Sequence, residues 1–217
     1  MDHTARTLIT GRALRGFVDG SVAVLLPAYL LALGHTPFEV GVLGTATLAG
    51  SAMATLAVGA WGHHAAPRTL LLGAALLMAA TGLGFASFTA FAPLLVVAFI
   101  GTLNPGSGDV SVFLPIEHAR LAGSGGNSDE RTTMFARYSL AGALAAALGA
   151  LAAGAPDALN AQLGITRLAA LRGMFVVYAA IGVLIWLLYR RLPMPSATTA
   201  QTQPAPLDSS RAIVVKL

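Results

Sequence analysis

Cysteine is absent from this 217-residue chain, and lysine occurs once. Without a thiol there is no disulfide framework, no thiolate metal site and no cysteine nucleophile. Charge is scarce too. Asp, Glu, Lys and Arg make up 10% of the residues, against about 25% in a soluble domain. What is abundant is apolar: 56% of the chain, with a mean hydropathy of +0.74. The apolar residues do not alternate with polar ones. They come in runs of about 20, the length a helix needs to cross the hydrocarbon core of a bilayer. Six such runs in succession point to an integral membrane protein rather than to core helices of a soluble one.

The sequence pI is near 10.1, but the net charge is only +4. The basic residues sit singly at the ends of apolar runs and form no patch, which argues for membrane topology and against nucleic acid. Arg supplies all but one of them, and with the abundant Ala and Gly this points to a bacterial genome rich in G and C. The first apolar run follows basic residues, as in a signal peptide. It is too long for one, carries Asp19 and lacks a cleavage site, so it is read as a retained span.

The expected spans are 14–33, 38–60, 69–88, 93–115, 134–153 and 171–189, after a cytoplasmic N-terminus of residues 1–13. Comparing alternate loops, one side holds Arg6, Arg12, Arg15, Arg68, Arg120, Arg131, Arg137, Arg190, Arg191, Arg211 and Lys216. The other holds Arg167 and Arg172. That distribution places both termini in the cytoplasm, here of a bacterial inner membrane. Gly34–Pro37 and Thr89–Ala92 read as tight outer turns. The stretch Glu117–Arg131, with "GSGGNSDE", reads as a longer flexible loop, and no Gly-Lys-Ser/Thr follows to make it a phosphate-binding loop. Residues 190–217, with "PMPSATTAQTQPAPLDSS" and the apolar "RAIVVKL", read as a cytoplasmic linker leading toward a second half.

Small residues suit close helix packing. Gly142 and Gly149 lie in "LAGALAAALGALAAG", and Gly16 and Gly20 form a small-xxx-small pair. Ionisable residues at span depth cost on the order of 2.5–3.5 kcal/mol by insertion scales, so they face an interior or an aqueous cavity. Asp19 in the first span and Asp109 in the fourth fall on the same side of the midplane, roughly 7 Å from it at the rise of a helix. Close together they would raise each other's proton affinity and could couple protons or bind a cation. Otherwise Asp19 pairs with Arg15, four residues away, and Asp109 with Arg137 or Arg120. Asp109 ends the stretch "NPGSGD", where Asn104 sits near the midplane and Pro105 breaks the helix. A broken helix at that depth marks a transporter binding site, or else a simple kink. Glu117, His118 and Arg120 follow at the cytoplasmic exit, as a gate or as an interfacial charge cluster. His63 and His64 form a metal-binding or pH-sensing pair or are solvated loop residues.

Six spans, both ends inside and a hydrophilic linker resemble the N-terminal half of a major facilitator superfamily transporter. "DGSVAVLLPAYLLALGHTPFEVGVLGTATLAG" looks like that family's first two spans. The family's loop between spans two and three reads Gly-x-x-x-Asp-Arg/Lys-x-Gly-Arg/Lys-Arg/Lys, and here it is "GAWGHHAAPR". Gly59 and Arg68 match, while His63 replaces Asp, His64 replaces Arg and Ala66 replaces Gly. The fourth-span Arg motif and the fifth-span Pro motif of drug/proton antiporters are absent. The resemblance implies an all-α membrane fold: six helices as 3+3 inverted repeats, half of a twelve-helix facilitator. It further implies alternating-access transport of a small solute, proton-coupled through Asp19 or Asp109 with Asn104 at the substrate. Arg15, His63, Arg68, Glu117 and Arg137 become the gating and loop candidates. Expected partners are the solute, the bilayer and a C-terminal half or a second copy, with no nucleic acid, metal or other cofactor. A complete six-span homodimeric channel or scaffold is the alternative. A membrane-embedded enzyme is disfavoured, since no nucleophile–base pair or metal-ligand set recurs within one span.

Overall fold

The structure is a computed structural model that describes residues 3–103, 111–122 and 128–192. Its regular elements are α1 (His3–Ala32), α2 (Pro37–Trp61), α3 (Pro67–Ser87), α4 (Phe91–Ile100), α5 (Phe113–Ala122), α6 (Ser128–Ala152), α7 (Ala155–Leu163) and α8 (Arg167–Tyr189), with a 3-10 turn at Gly62–His64. Among the described residues, five helices are long and apolar enough to cross a membrane. Local chemistry sets their ends. Gly34 turns the chain with φ +91°, a conformation that favours glycine. Thr36 then caps α2: its hydroxyl accepts from the Glu39 N–H at 3.3 Å, and the Glu39 carboxylate accepts from the Thr36 N–H at 2.8 Å. Pro37 and Pro67 occupy the first helical positions, where a missing N–H costs nothing.

The helices form two triplets, α1–α2–α3 and α4/α5–α6–α8. α1 lies along α6, and α2 lies along α4; each pair joins the first member of one triplet to the second of the other. The third members, α3 and α8, pack on each other. Exchanging the triplets maps these contacts onto themselves, the pattern of a 3+3 repeat. Small residues seat these three crossings. A Cβ placed on Gly16 would lie 2.6 Å from the Gly142 carbonyl oxygen. One on Gly82 would lie 2.7 Å from the Phe175 carbonyl, and one on Gly182 would lie 2.8 Å from the Ala79 nitrogen. Gly50 of α2 meets the Phe99 backbone of α4 in the same way. Lipid offers no hydrophobic contrast, so close backbone approach has to supply the attraction between helices. The outer faces are correspondingly apolar, with Leu140, Leu144, Leu148 and Leu151 exposed along α6.

Several sequence expectations need correction. The fourth span is not one helix over 93–115. α4 begins at Phe91 and stops at Ile100, Gly101–Leu103 are non-helical, and α5 starts only at Phe113. Each piece is about 15 Å long, half of a hydrocarbon core. The first helix reaches back to His3, so residues 3–13 are part of α1 rather than a tail. Asp19 thereby lies 16 residues after His3 and 13 before Ala32, near the middle of the helix. α6 starts at Ser128, and residues 155–163 add a helix, α7, where none was expected. Residues 117–122, read as the start of a flexible loop, belong to α5.

Candidate functional site

Two polar layers cross the bundle, one helical turn apart along α1. The first is built on Arg15 and Glu117, 2% and 0% exposed. The guanidinium holds the carboxylate in a fork, Nη1 to Oε1 at 2.7 Å and Nη2 to Oε2 at 2.6 Å. Nη1 also donates to the Tyr189 hydroxyl at 2.8 Å, and the guanidinium lies over the Phe113 ring, 4.1 Å from its centroid. The Tyr138 and Tyr189 hydroxyls donate to the two carboxylate oxygens. Glu117 thus accepts four charge-assisted bonds, enough to hold an ionised carboxylate away from water. The members come from α1, α5, α6 and α8. His118 stands edge-on to the Tyr138 and Phe135 rings, and the Arg12 guanidinium lies 5.6 Å from the Tyr138 centroid.

The second layer is built on Asp19, half-buried on the same helix. Its carboxylate interacts with Arg15, Arg12 and the Tyr178 hydroxyl. Tyr178 stands on α8, and the hydroxyl of Thr102, the second residue after the end of α4, is buried without a hydrogen-bond partner among the described residues. The Thr102 N–H points to the Thr81 hydroxyl at 3.4 Å, and Thr81 donates to the Leu77 carbonyl at 2.7 Å. Thr81 thereby meets the backbone just past the end of α4. A small apolar cavity of about 150 Å³, lined by Leu77, Thr81, Val97 and Gly101 among others, flanks the end of α4.

The remaining candidates are placed as follows. Asn104 and Asp109 lie outside the described residues, so the expected juxtaposition of Asp19 with Asp109 does too. Arg15 forms its ion pair with Glu117, 102 residues away, rather than with Asp19. Glu117 is buried in the bundle and is not part of an interfacial cluster. Arg68 donates to the Arg190 carbonyl at 2.5 Å, tying the start of α3 to the end of α8. Arg137 is exposed on α6, and His63 stands in the 3-10 turn.

Comparison with known proteins agrees with this architecture. The sequence profile described as Major Facilitator Superfamily matches residues 8–216. The chain belongs to the Major Facilitator Superfamily. It is a multi-pass membrane protein of a transporter superfamily. A yeast relative, the uncharacterized membrane protein YJR124C of Saccharomyces cerevisiae, is 31% identical over 76% of this chain. The match spans 37% of that relative's length. Within this facilitator fold, sequence reasoning overlooked the tyrosines. All four in the chain (Tyr29, Tyr138, Tyr178 and Tyr189) are at most 1% exposed. The signal was available: a buried phenol needs a partner for its hydroxyl, and each of these lies within an apolar helix. Three of them serve the two layers, and Tyr29 donates to the Phe85 carbonyl at 2.6 Å.

Proposed function

We propose that this chain forms one half of a proton-coupled secondary transporter that moves a small solute by alternating access. Its partner is a C-terminal six-helix half or a second copy, rocking against it around a central cavity. Both termini lie in the cytoplasm and the membrane is a bacterial inner membrane, following the basic-residue asymmetry described above. Asp19 carries the proton, with Asp109 as its companion, and Asn104 contacts the solute at the broken backbone. The observation that supports this reading is Asp19 itself, an ionisable group near the middle of α1 with Arg12, Arg15 and, from α8, Tyr178 as its electrostatic neighbours. An ionisable group at that depth with polar neighbours on another helix is what a proton pathway requires.

The test uses full-length protein in proteoliposomes loaded with a pH-sensitive dye, challenged with a panel of sugars, amines, organic acids and amino acids. One class of solute is expected to drive proton movement. Asp19→Asn or Asp109→Asn should abolish that movement while solute exchange continues. Solute flux with no proton movement would remove the coupling claim. A complete lack of solute flux would favour a scaffold.

A further inference from the structure

We infer that Arg15 is the positioning residue through which protonation of Asp19 sets the grip on α5. This inference rests on Asp19 being the proton site, as proposed above. α5 is ten residues long and is preceded by the break, so the bundle has to hold it from the side. Phe113, Ile116 and Leu121 give it an apolar seat, and Glu117 gives it a polar anchor. That anchor rests on Arg15, whose two nitrogens supply half of the hydrogen bonds reaching the carboxylate; the two tyrosine hydroxyls supply the rest.

Arg15 also lies one turn from Asp19 and interacts with it. Among the described residues, the charged and titratable groups facing these two layers are Arg12, Arg15 and Asp19 from α1 and Glu117 from α5. Tyr138 from α6 and Tyr178 and Tyr189 from α8 complete the set, with His118 behind Tyr138. Two guanidinium groups thus face two carboxylates. With Asp19 ionised, Arg15 is drawn toward both acids. When Asp19 takes up a proton its pull disappears, and the full charge of Arg15 falls on Glu117. Loading the proton site tightens the hold on α5, and unloading it relaxes that hold. The fork geometry matters because a lysine keeps the charge but cannot grip two oxygens at once.

The 217 residues hold no cysteine, so labels can be introduced at chosen sites. In full-length protein in lipid nanodiscs, spin labels at Trp61→Cys on α2 and Ala119→Cys on α5, both at exposed positions, report the position of α5. The distance distribution of the parent is expected to shift between alkaline and acidic buffer. Asp19→Asn should hold it at the acidic position in both. Arg15→Lys and Glu117→Gln should abolish the shift. If either variant fails to fold, Tyr189→Phe, which removes one donor from the network, should reduce the shift. A parent distribution insensitive to pH, or a full parental shift in Arg15→Lys or Tyr189→Phe, would overturn the inference. Proton flux in proteoliposomes separates the two readings. If Asp19→Asn still carries protons, the proton-site reading fails. If flux is lost while Arg15→Lys keeps the parental shift, only the role of Arg15 fails.

Discussion

The two ten-residue pieces of the fourth membrane segment, α4 and α5, are held in the bundle by opposite means. α4, "FAPLLVVAFI", has no charged residue. It is seated by shape: Leu94 and Ala98 are buried, and Gly50 of α2 admits the Phe99 backbone. α5, "FLPIEHARLA", carries Glu117, and the four bonds on that carboxylate tie it to α1, α6 and α8. Shape complementarity falls off smoothly as helices slide. A buried ion pair resists until it breaks, and its strength depends on the charges around it. One segment therefore joins a passively packed half to a half whose hold can be switched.

The largest expected break in this contrast comes from Glu117→Leu. It leaves the Arg15 guanidinium buried without its carboxylate, and a loss of about 3–5 kcal/mol is expected. Thermal unfolding in detergent should show it as a marked drop in midpoint. The double variant Arg15→Leu/Glu117→Leu sharpens the point. It should recover most of that loss, because two apolar side chains replace the pair without a stranded charge. No recovery would mean that α5 depends on more than the ion pair. Gly50→Ala tests the other piece. The added methyl group has to push the Phe99 backbone away, at a cost of about 1–3 kcal/mol. Chemical unfolding of this variant should leave the Arg15–Glu117 layer intact. Tyr189→Phe removes a single donor from a carboxylate that keeps three others, for about 0.5–1.5 kcal/mol. Smallest of all is Val96→Ala on the exposed face of α4, where a midpoint change equivalent to about 0.5 kcal/mol or less is expected.

Much of the fold was legible along the chain because it depends on local chemistry. Apolar runs long enough to cross a bilayer and the tight turn at Gly34–Pro37 act over a few residues. The glycines that seat α1 on α6 were visible for the same reason, since small residues at helical spacing have one main use in lipid. The candidate site was legible only in part. Arg15 and Glu117 both stand among the gating candidates, yet the opposite charge nearest to Arg15 in the sequence is Asp19, and Glu117 reads equally as an interfacial group. The end of α4 was not legible, because Pro105 explains a kink at one point but not the loss of helix already at Gly101. The tyrosines went unnoticed because a phenol in an apolar run carries no charge to flag it.

What the sequence determined by itself is the membrane character, the order of the helices and the residues that let them approach. Each follows from transfer of apolar side chains into lipid and from backbone sterics, which act within one segment at a time. What only the tertiary structure decided is which charges meet. The Arg15–Glu117 pair spans 102 residues. It exists because the α1–α6 and α1–α8 crossings bring α5 within reach of a guanidinium that sequence proximity had assigned to Asp19. A buried charge takes its partner from whatever the packing places beside it, and packing is a property of the whole bundle.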